Sequence, residues 1–264
     1  MAGRLEAQLA PVDPVLFSAA LPRRGDVVLD VGCGRGPSTV TAAAFVGAEG
    51  QVCGVDMAGP LIDAARSLHE QAPGAPIDWL VADAGSHAFE AERFDLVISR
   101  FGTLFFEDPL EAFANLRRAT KDGGRLAIAV WLPADGSELF ARPSSVALSA
   151  LRALGYEPEV MAPDAGPFRF GVEATMLDVL SRSGWRNGRF DRFDLAFYLG
   201  GPGATPDEAA AVAATVGPVA RLVIDVPTEV AEHVAGAVAS DLATCGNGNG
   251  IPLVGRIAIA QATA

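Results

Sequence analysis

Lysine is almost missing from this chain of 264 residues: Lys121 stands alone, and the other nineteen basic residues are arginine. The 20 basic residues face 32 acidic ones, a formal net charge of −12. A surface so poor in positive charge would repel a phosphate backbone or an anionic lipid face, which argues against nucleic acid and membrane surfaces as partners and leaves a small neutral or cationic substrate open. Cysteine is scarce too. Cys33, Cys53 and Cys245 form neither an even disulfide framework nor a metal-ligand spacing, and the first two read as small buried hydrophobes. There are three histidines, His69, His87 and His233. Apolar runs such as Ala209 to Ala220 are short and broken by Gly217-Pro218, so no membrane span fits. The N-terminus carries Arg4 and Glu6 and lacks the apolar stretch of a secretory signal; a cytoplasmic location is expected.

What is present is concentrated in one stretch. Val27, Val28, Leu29 and Val31 read as a strand buried on both faces, Ser38 to Phe45 as a helix, and Gly32-Cys33-Gly34-Arg35-Gly36 as the turn between them. Glycines permit the tight turn and let backbone N–H groups approach a ligand at the helix N-terminus. Position 37 is proline, so the glycines stand as G-x-G-x-G behind Asp30 and miss the third glycine of the dinucleotide fingerprint. Three further apolar runs follow in order. Gly54-Val55-Asp56-Met57 closes its apolar run with an acid, Asp56, 26 residues after Asp30, Trp79 to Ala84 ends in Asp83-Ala84, and Phe94 to Ser99 leads into Arg100-Phe101-Gly102. A carboxylate at the end of the second strand of a nucleotide-binding sheet meets ribose hydroxyls.

This ordered set resembles the motifs of the class I S-adenosylmethionine-dependent methyltransferases. The segment from Arg100 to Pro109, followed by Ala119 through Leu126, resembles their quinone-biosynthesis-like small-molecule branch. The resemblance covers residues 12 to 131 tightly and the rest loosely. It implies an α/β fold, a Rossmann-like seven-stranded, mostly parallel sheet with helices on both faces and a helical cap. It also implies S-adenosyl-L-methionine as cofactor, S-adenosyl-L-homocysteine as product, and methyl transfer to oxygen, nitrogen or carbon of a small, partly apolar metabolite.

Residue by residue, the resemblance implies that Gly32, Gly34 and Gly36 present backbone to the methionine part and that Asp30 anchors the loop or the amino group. Asp56 takes the ribose hydroxyls, Met57 packs on the adenine, and Asp83 accepts from the adenine amine. Cys33, Ala84, Ser99, Arg100 and Phe101 complete the expected cofactor set. Each has a structural alternative: Asp30 and Asp83 as caps of helices or turns, Met57 as core, and Arg100 in a surface pair with Glu107 or Asp108. No general base stands out; His87, in the loop after Asp83-Ala84, is the one histidine near the expected cleft. Phe17, Trp131, Tyr156, Phe168, Phe170, Phe197 and Tyr198 are candidates for an apolar substrate pocket or for core. The Pro-Pro-aromatic signature of enzymes that methylate a flipped base is absent, and so is an Asp-rich magnesium arrangement, so no metal is expected. A nicotinamide-dependent oxidoreductase, disfavoured by Pro37, and a cofactor-binding homologue that moves no methyl remain as alternatives. The acceptor and the oligomeric state, monomer or homodimer, are not readable.

The chain reads as one domain of 1–264. Its expected core is 22–132, 172–198 and 251–262, with insertions at 133–171 and 199–250 and a covering helix at 12–21. Asp13-Pro14 looks like an N-cap with proline at the first helical position. Strands are expected at 27–31, 51–55, 77–82, 94–99, 125–131, within 188–198 and at 253–260. Helices are expected at 38–46, 59–71, 109–120, near 144–154 and at 173–183, with two more opening at Thr205 and Thr228. Gly123-Gly124 reads as the stop of helix 109–120, and Gly246 to Gly250 as a turn.

Overall fold

The apolar run at Val27 has only one polar side chain, Asp30, and it forms strand β1 (Val27–Val31) with four of its five residues buried. The computed structural model describes residues 2–264. The other strands are β2 (Gln51–Asp56), β3 (Ile77–Val81), β4 (Phe94–Arg100), β5 (Thr120–Trp131), β6 (Arg186–Tyr198) and β7 (Pro252–Thr263). They form one seven-stranded sheet in the order β3-β2-β1-β4-β5-β7-β6. β1 pairs in parallel with β2 and β4, as do β2 with β3 and β4 with β5. The N–H of Leu132 donates to the Arg256 carbonyl and that of Ala264 to Gly124, so numbers rise along β5 as they fall along β7, the mark of antiparallel pairing. The mostly parallel sheet expected from the sequence is the one observed. Because β1 sits between β2 and β4, the chain direction across the sheet reverses there. In open α/β sheets the crevice for a ligand lies at this switch point, beyond the carboxyl ends of the strands.

The helices are α1 (Ala2–Leu9), α2 (Asp13–Ala20), α3 (Pro37–Val46), α4 (Gly59–Leu68), α5 (Pro109–Ala119), α6 (Glu138–Ala153), α7 (Glu173–Arg182), α8 (Pro206–Ala213), α9 (Pro218–Val223) and α10 (Thr228–Leu242). Proline at the first or second position opens six of them, where its missing N–H costs nothing. Asp108 caps α5 by accepting from the Glu111 N–H at 3.1 Å, and Thr205 with Glu208 makes a full capping box on α8. No helix of the described residues is long and apolar enough to cross a membrane.

Three of the departures from the expected boundaries have a clear physical reason. Helix α6 begins at Glu138 and runs through Pro143, where the sequence pointed to a start at 144. Leu139, Pro143, Ala147 and Leu151 fall at four-residue spacing and are all buried, so packing outweighs the proline. Gly123-Gly124 lies inside β5 instead of stopping α5, which ends at Ala119. A register shift between Phe94 and Leu96 absorbs the irregular start of that strand. Asp13 is the first residue of α2, whose cap position is Val12, and its carboxylate makes no cap.

The chain divides into two compact units. The sheet unit comprises Val12–Trp131, Phe170–Arg192 and Ala258–Ala264; the second comprises residues 2–11, Leu132–Arg169 and Phe193–Ile257. In the sheet unit Phe113 lies edge-on to both Phe106 and Phe170, and the Trp185 indole N–H donates to the Phe113 carbonyl at 3.0 Å. In the second unit α6 packs on α9 and α10, Phe140 lies edge-on to Phe168, and Arg142 ties α6 to Asp241 at 2.7 Å. All three tryptophans, Trp79, Trp131 and Trp185, belong to the sheet unit, and both tyrosines, Tyr156 and Tyr198, to the second.

Candidate functional site

The glycine turn after β1 is fastened to β2 by its own backbone. The N–H groups of Gly32 and Cys33 donate to the Val55 carbonyl at 2.8 and 3.1 Å, and Gly36 donates back to Cys33 at 2.9 Å. All three glycines are left-handed, with φ of +68°, +57° and +89°. Their surroundings differ. A Cβ on Gly32 would lie 2.4 Å from the Gly102 Cα, and one on Gly36 would lie 2.3 Å from the Trp79 ring. A Cβ on Gly34 would meet nothing within 4 Å. Two glycines thus let the loop pack on its neighbours, and the middle one leaves space over the loop.

Asp30 is fully buried, and one of its oxygens accepts from the hydroxyls of Ser38 and Thr39 at 2.8 and 2.7 Å. Its other oxygen is buried without a hydrogen-bond partner among the described residues. The carboxylate therefore anchors the turn to the start of α3, and having no exposed surface it does not present itself to a ligand. Burial pushes its pKa up to about 6 against the opposing pull of the two hydroxyls and Arg100. Between about pH 4 and pH 6 the unfolded chain ionises this group while the folded chain keeps it protonated. Stability is accordingly expected to fall across that window, by a Asp30 contribution on the order of 3 kcal/mol. Asp30→Asn, which still offers an oxygen to Ser38 and Thr39, should flatten the fall; urea melts of both proteins from pH 4.5 to 7.5 check it, and identical slopes would refute the assignment.

Asp56 ends β2 half-buried and links two segments. Oδ2 accepts from the Gly34 N–H and Oδ1 from the Ala58 N–H, each at 2.9 Å. Met57 is 71% exposed, which removes the core alternative for it. Asp83, two residues beyond β3, is exposed and closes its own turn, accepting from the Gly85 N–H at 2.9 Å and the Ser86 hydroxyl at 2.8 Å. Ala84 is buried, and the Asn115 side-chain amide holds its carbonyl and that of His87 at 3.0 and 2.9 Å. The His87 ring lies edge-on to Phe89.

Ser99 and Arg100 close the switch point from β4. The buried Ser99 hydroxyl donates to the Val31 carbonyl at 2.7 Å and accepts from the N–H groups of Gly102 and Thr103 at 3.0 and 3.2 Å. It joins β1 to the 3-10 turn Gly102–Phe105. Arg100 pairs with Asp13 of α2 at 2.9 and 3.1 Å, not with Glu107 or Asp108. The two side chains are 8% and 22% exposed, and burial raises the Asp13 pKa despite the guanidinium. Removing one partner strands the other charge. Asp13→Ala is expected to cost about 2 kcal/mol, below the range for fully buried pairs because Asp13 keeps some water; a chemical melt that moved by less than a few tenths would refute it. Phe101 takes the left-handed φ of 68°, strained for a bulky residue, and stacks on Trp131 at 4.1 Å with 2° between the rings.

The remaining candidates scatter. Phe17 is buried and stacked on Phe45, Phe170 is buried against Phe113, and Phe168, only two residues away, is buried against Phe140 in the second unit. Phe197 is also buried there, while Tyr156 and Tyr198 are half-buried. Burial pushes the Cys33 and Cys53 thiols up, the latter to about 11, so both remain neutral packing groups. Among the described residues no group of three or more His, Cys, Asp or Glu side chains could hold a metal. Sequence reasoning passed over Ser38 and Thr39, although hydroxyls at the first turn after an acid-led glycine loop are a readable signal. It also passed over Phe105, an aromatic 74% exposed just beyond β4.

Known proteins are similar to this chain in sequence and in fold. A family model described as a methyltransferase domain matches residues 29–128. Aklanonic acid methyltransferase DauC of Streptomyces sp. (strain C5) is 33% identical over 160 residues, which span 61% of this chain and 73% of that protein. The ubiquinone/menaquinone biosynthesis C-methyltransferase UbiE of Marinomonas sp. is 29% identical over 59% of this chain and 61% of its own length. Among solved structures, the Bacillus subtilis YcgJ protein superposes with a TM-score of 0.60 at 16% identity, covering 95% of this chain and 97% of that one, which speaks to the fold. A glycine loop fastened to β2, acids at the end of β2 and just beyond β3, a mostly parallel sheet reversing at β1 and 33% identity with DauC over 160 residues converge, and the chain belongs to the class I S-adenosylmethionine-dependent methyltransferases.

Proposed function

We propose that Gly32 to Gly36 with Cys33 among them, Asp56, Met57, Asp83, Ala84, Ser99, Arg100 and Phe101 make the S-adenosylmethionine site, Asp30 holding it in shape from beneath. We further propose that the acceptor is a small, partly apolar metabolite taking the methyl on oxygen, nitrogen or carbon. The observation that carries the reading is the open space over Gly34 at the switch point of the sheet, beside a carboxylate that already orients the loop. When bound, the cofactor supplies a methyl group made electrophilic by its sulfonium. Asp56 retains free lone pairs for the ribose hydroxyls, the exposed Met57 thioether offers a soft face to the adenine ring, and Asp83 offers the adenine amine an acceptor. Ser99 keeps the turn after β4 close to the loop. His87, in the turn that follows Asp83, is the candidate for a general base, and the main contribution of the chain is to orient the acceptor and exclude water.

DauC and UbiE are named for small metabolites, aklanonic acid and ubiquinone or menaquinone, which supports a small-molecule acceptor. The segments 133–171 and 199–250, outside the family match, are where acceptor specificity is proposed to reside. The reading is of a cytoplasmic enzyme that needs no metal. Calorimetry with S-adenosylhomocysteine should show one site per chain. Mass spectrometry should then detect conversion of S-adenosylmethionine with a panel of hydroxylated, aminated and quinonoid aromatics. Absence of binding would sink the site, whereas binding without turnover on any acceptor would favour a homologue that transfers no methyl.

A further inference from the structure

The second unit contains a cavity of about 410 Å³ that the methyltransferase motifs do not touch. Its lining comes from two short stretches, 156–161 and 221–226, one from each segment that the family match leaves out. Tyr156, Pro158, Met161, Leu222 and Val226 supply the apolar wall, and its volume is that of an ordinary small-molecule site, about 300–1,000 Å³. The wall is fastened from behind. The Tyr156 N–H donates to the Leu151 carbonyl at 3.0 Å, closing the end of α6, and the Ala134 N–H donates to Pro163 at 2.9 Å beyond Met161. Gly166, at φ +57°, lets the Met161 sulfur sit 3.2 Å from where a Cβ would be, so a larger residue would push Met161. At the mouth Ile224 is 74% exposed, an apolar side chain with nothing over it.

Charge selects the ligand class. Glu157, Glu159 and Asp225, all exposed, line the cavity together with one cation, Arg221. Glu157 has Arg152 at 3.6 Å; Glu159, Asp225 and Arg221 have no ion pair or side-chain hydrogen bond among the described residues. Three carboxylates around a wall carrying one phenol ring and one thioether suit a positive group attached to an apolar body, since the ring face attracts a cation and the carboxylates hold it. We propose that this cavity is a binding site for a ring-bearing amine, the protonated nitrogen at the carboxylate rim and the rings against Tyr156, Met161 and Leu222. This proposal does not rest on the methyl-transfer reading, because every residue it uses lies in the second unit.

The test is titration of the whole chain with three probes of one shape, 2-naphthylmethylamine, 2-naphthylmethanol and 2-naphthoate, by calorimetry and saturation-transfer NMR. The amine is expected to bind at least tenfold more tightly than the carboxylate. The double variant Glu159→Gln with Asp225→Asn should weaken the amine about fivefold and leave the alcohol unchanged. Leu222→Trp, which fills the cavity, should abolish amine binding; if it does not fold, as judged by thermal melting, Met161→Trp fills the same space from a loop. Equal affinity for amine and carboxylate, absence of binding by any probe, or amine binding that survives the cavity-filling variant would overturn the proposal.

Discussion

Asp56→Ala is expected to weaken S-adenosylhomocysteine binding by about a thousandfold, roughly 4 kcal/mol, the larger part of it through the loop. The carboxylate does two things at once. It holds the Gly34 and Ala58 N–H groups, each at 2.9 Å, and in the proposed site it also receives the ribose hydroxyls. Hydrogen bonds to a charged acceptor contribute about 1.5–3 kcal/mol each, and their loss leaves donors exposed to a loop that is no longer held. Asp56→Asn separates the two roles, since an amide oxygen can keep one backbone donor while the charge is gone; its loss should be intermediate. Calorimetry of the three proteins measures this, and an Asp56→Ala variant within threefold of the parent would remove Asp56 from the site.

Gly32→Ala is expected to destabilise the fold by about 3–5 kcal/mol, whereas Gly34→Ala should cost about 1 kcal/mol and yet lose cofactor binding. Both positions are left-handed, so both pay the conformational cost of a Cβ, about 1–2 kcal/mol. Only at Gly32 does that Cβ also strike backbone, 2.4 Å from the Gly102 Cα, where no side chain can turn aside. The turn after β4 must then move off β1, breaking the bonds that Ser99 makes to Val31, Gly102 and Thr103. At Gly34 the methyl enters open space, the same space proposed for the ligand. Thermal melting and S-adenosylhomocysteine titration on the pair give the contrast; a Gly34→Ala variant that binds normally would show that the open space is not the cradle.

The sheet and the loop were legible because local rules govern them. Buried parallel strands declare themselves as short apolar runs, and three glycines in five residues after an acid admit few conformations. Arg100 shows where that reading ends. Its partner Asp13 lies 87 residues away on a helix whose docking no local pattern encodes, so Glu107 and Asp108, close in sequence, looked equally suitable. Pro143 misled in the same manner, since a breaker is informative only until four-residue burial outweighs it. The structural alternative for Asp83 is matched by its bonds to Gly85 and Ser86, and that for Met57 is not, because exposure is a tertiary property. Within the second unit, the helices repeat an ordinary amphipathic pattern, and nothing in that pattern announced the cavity between 156–161 and 221–226.

The division of aromatic residues between the units makes the protein its own spectroscopic reporter. Every indole lies in the sheet unit and every phenol in the second. Indole emission excited at the red edge therefore follows the half that holds the proposed cofactor site, while the tyrosine component of second-derivative absorbance, resolved from that of the indoles, follows the half that carries the cavity. A single denaturant series read in both channels resolves whether the halves melt together, and a ligand that protects one channel before the other identifies, without any label, which half it occupies.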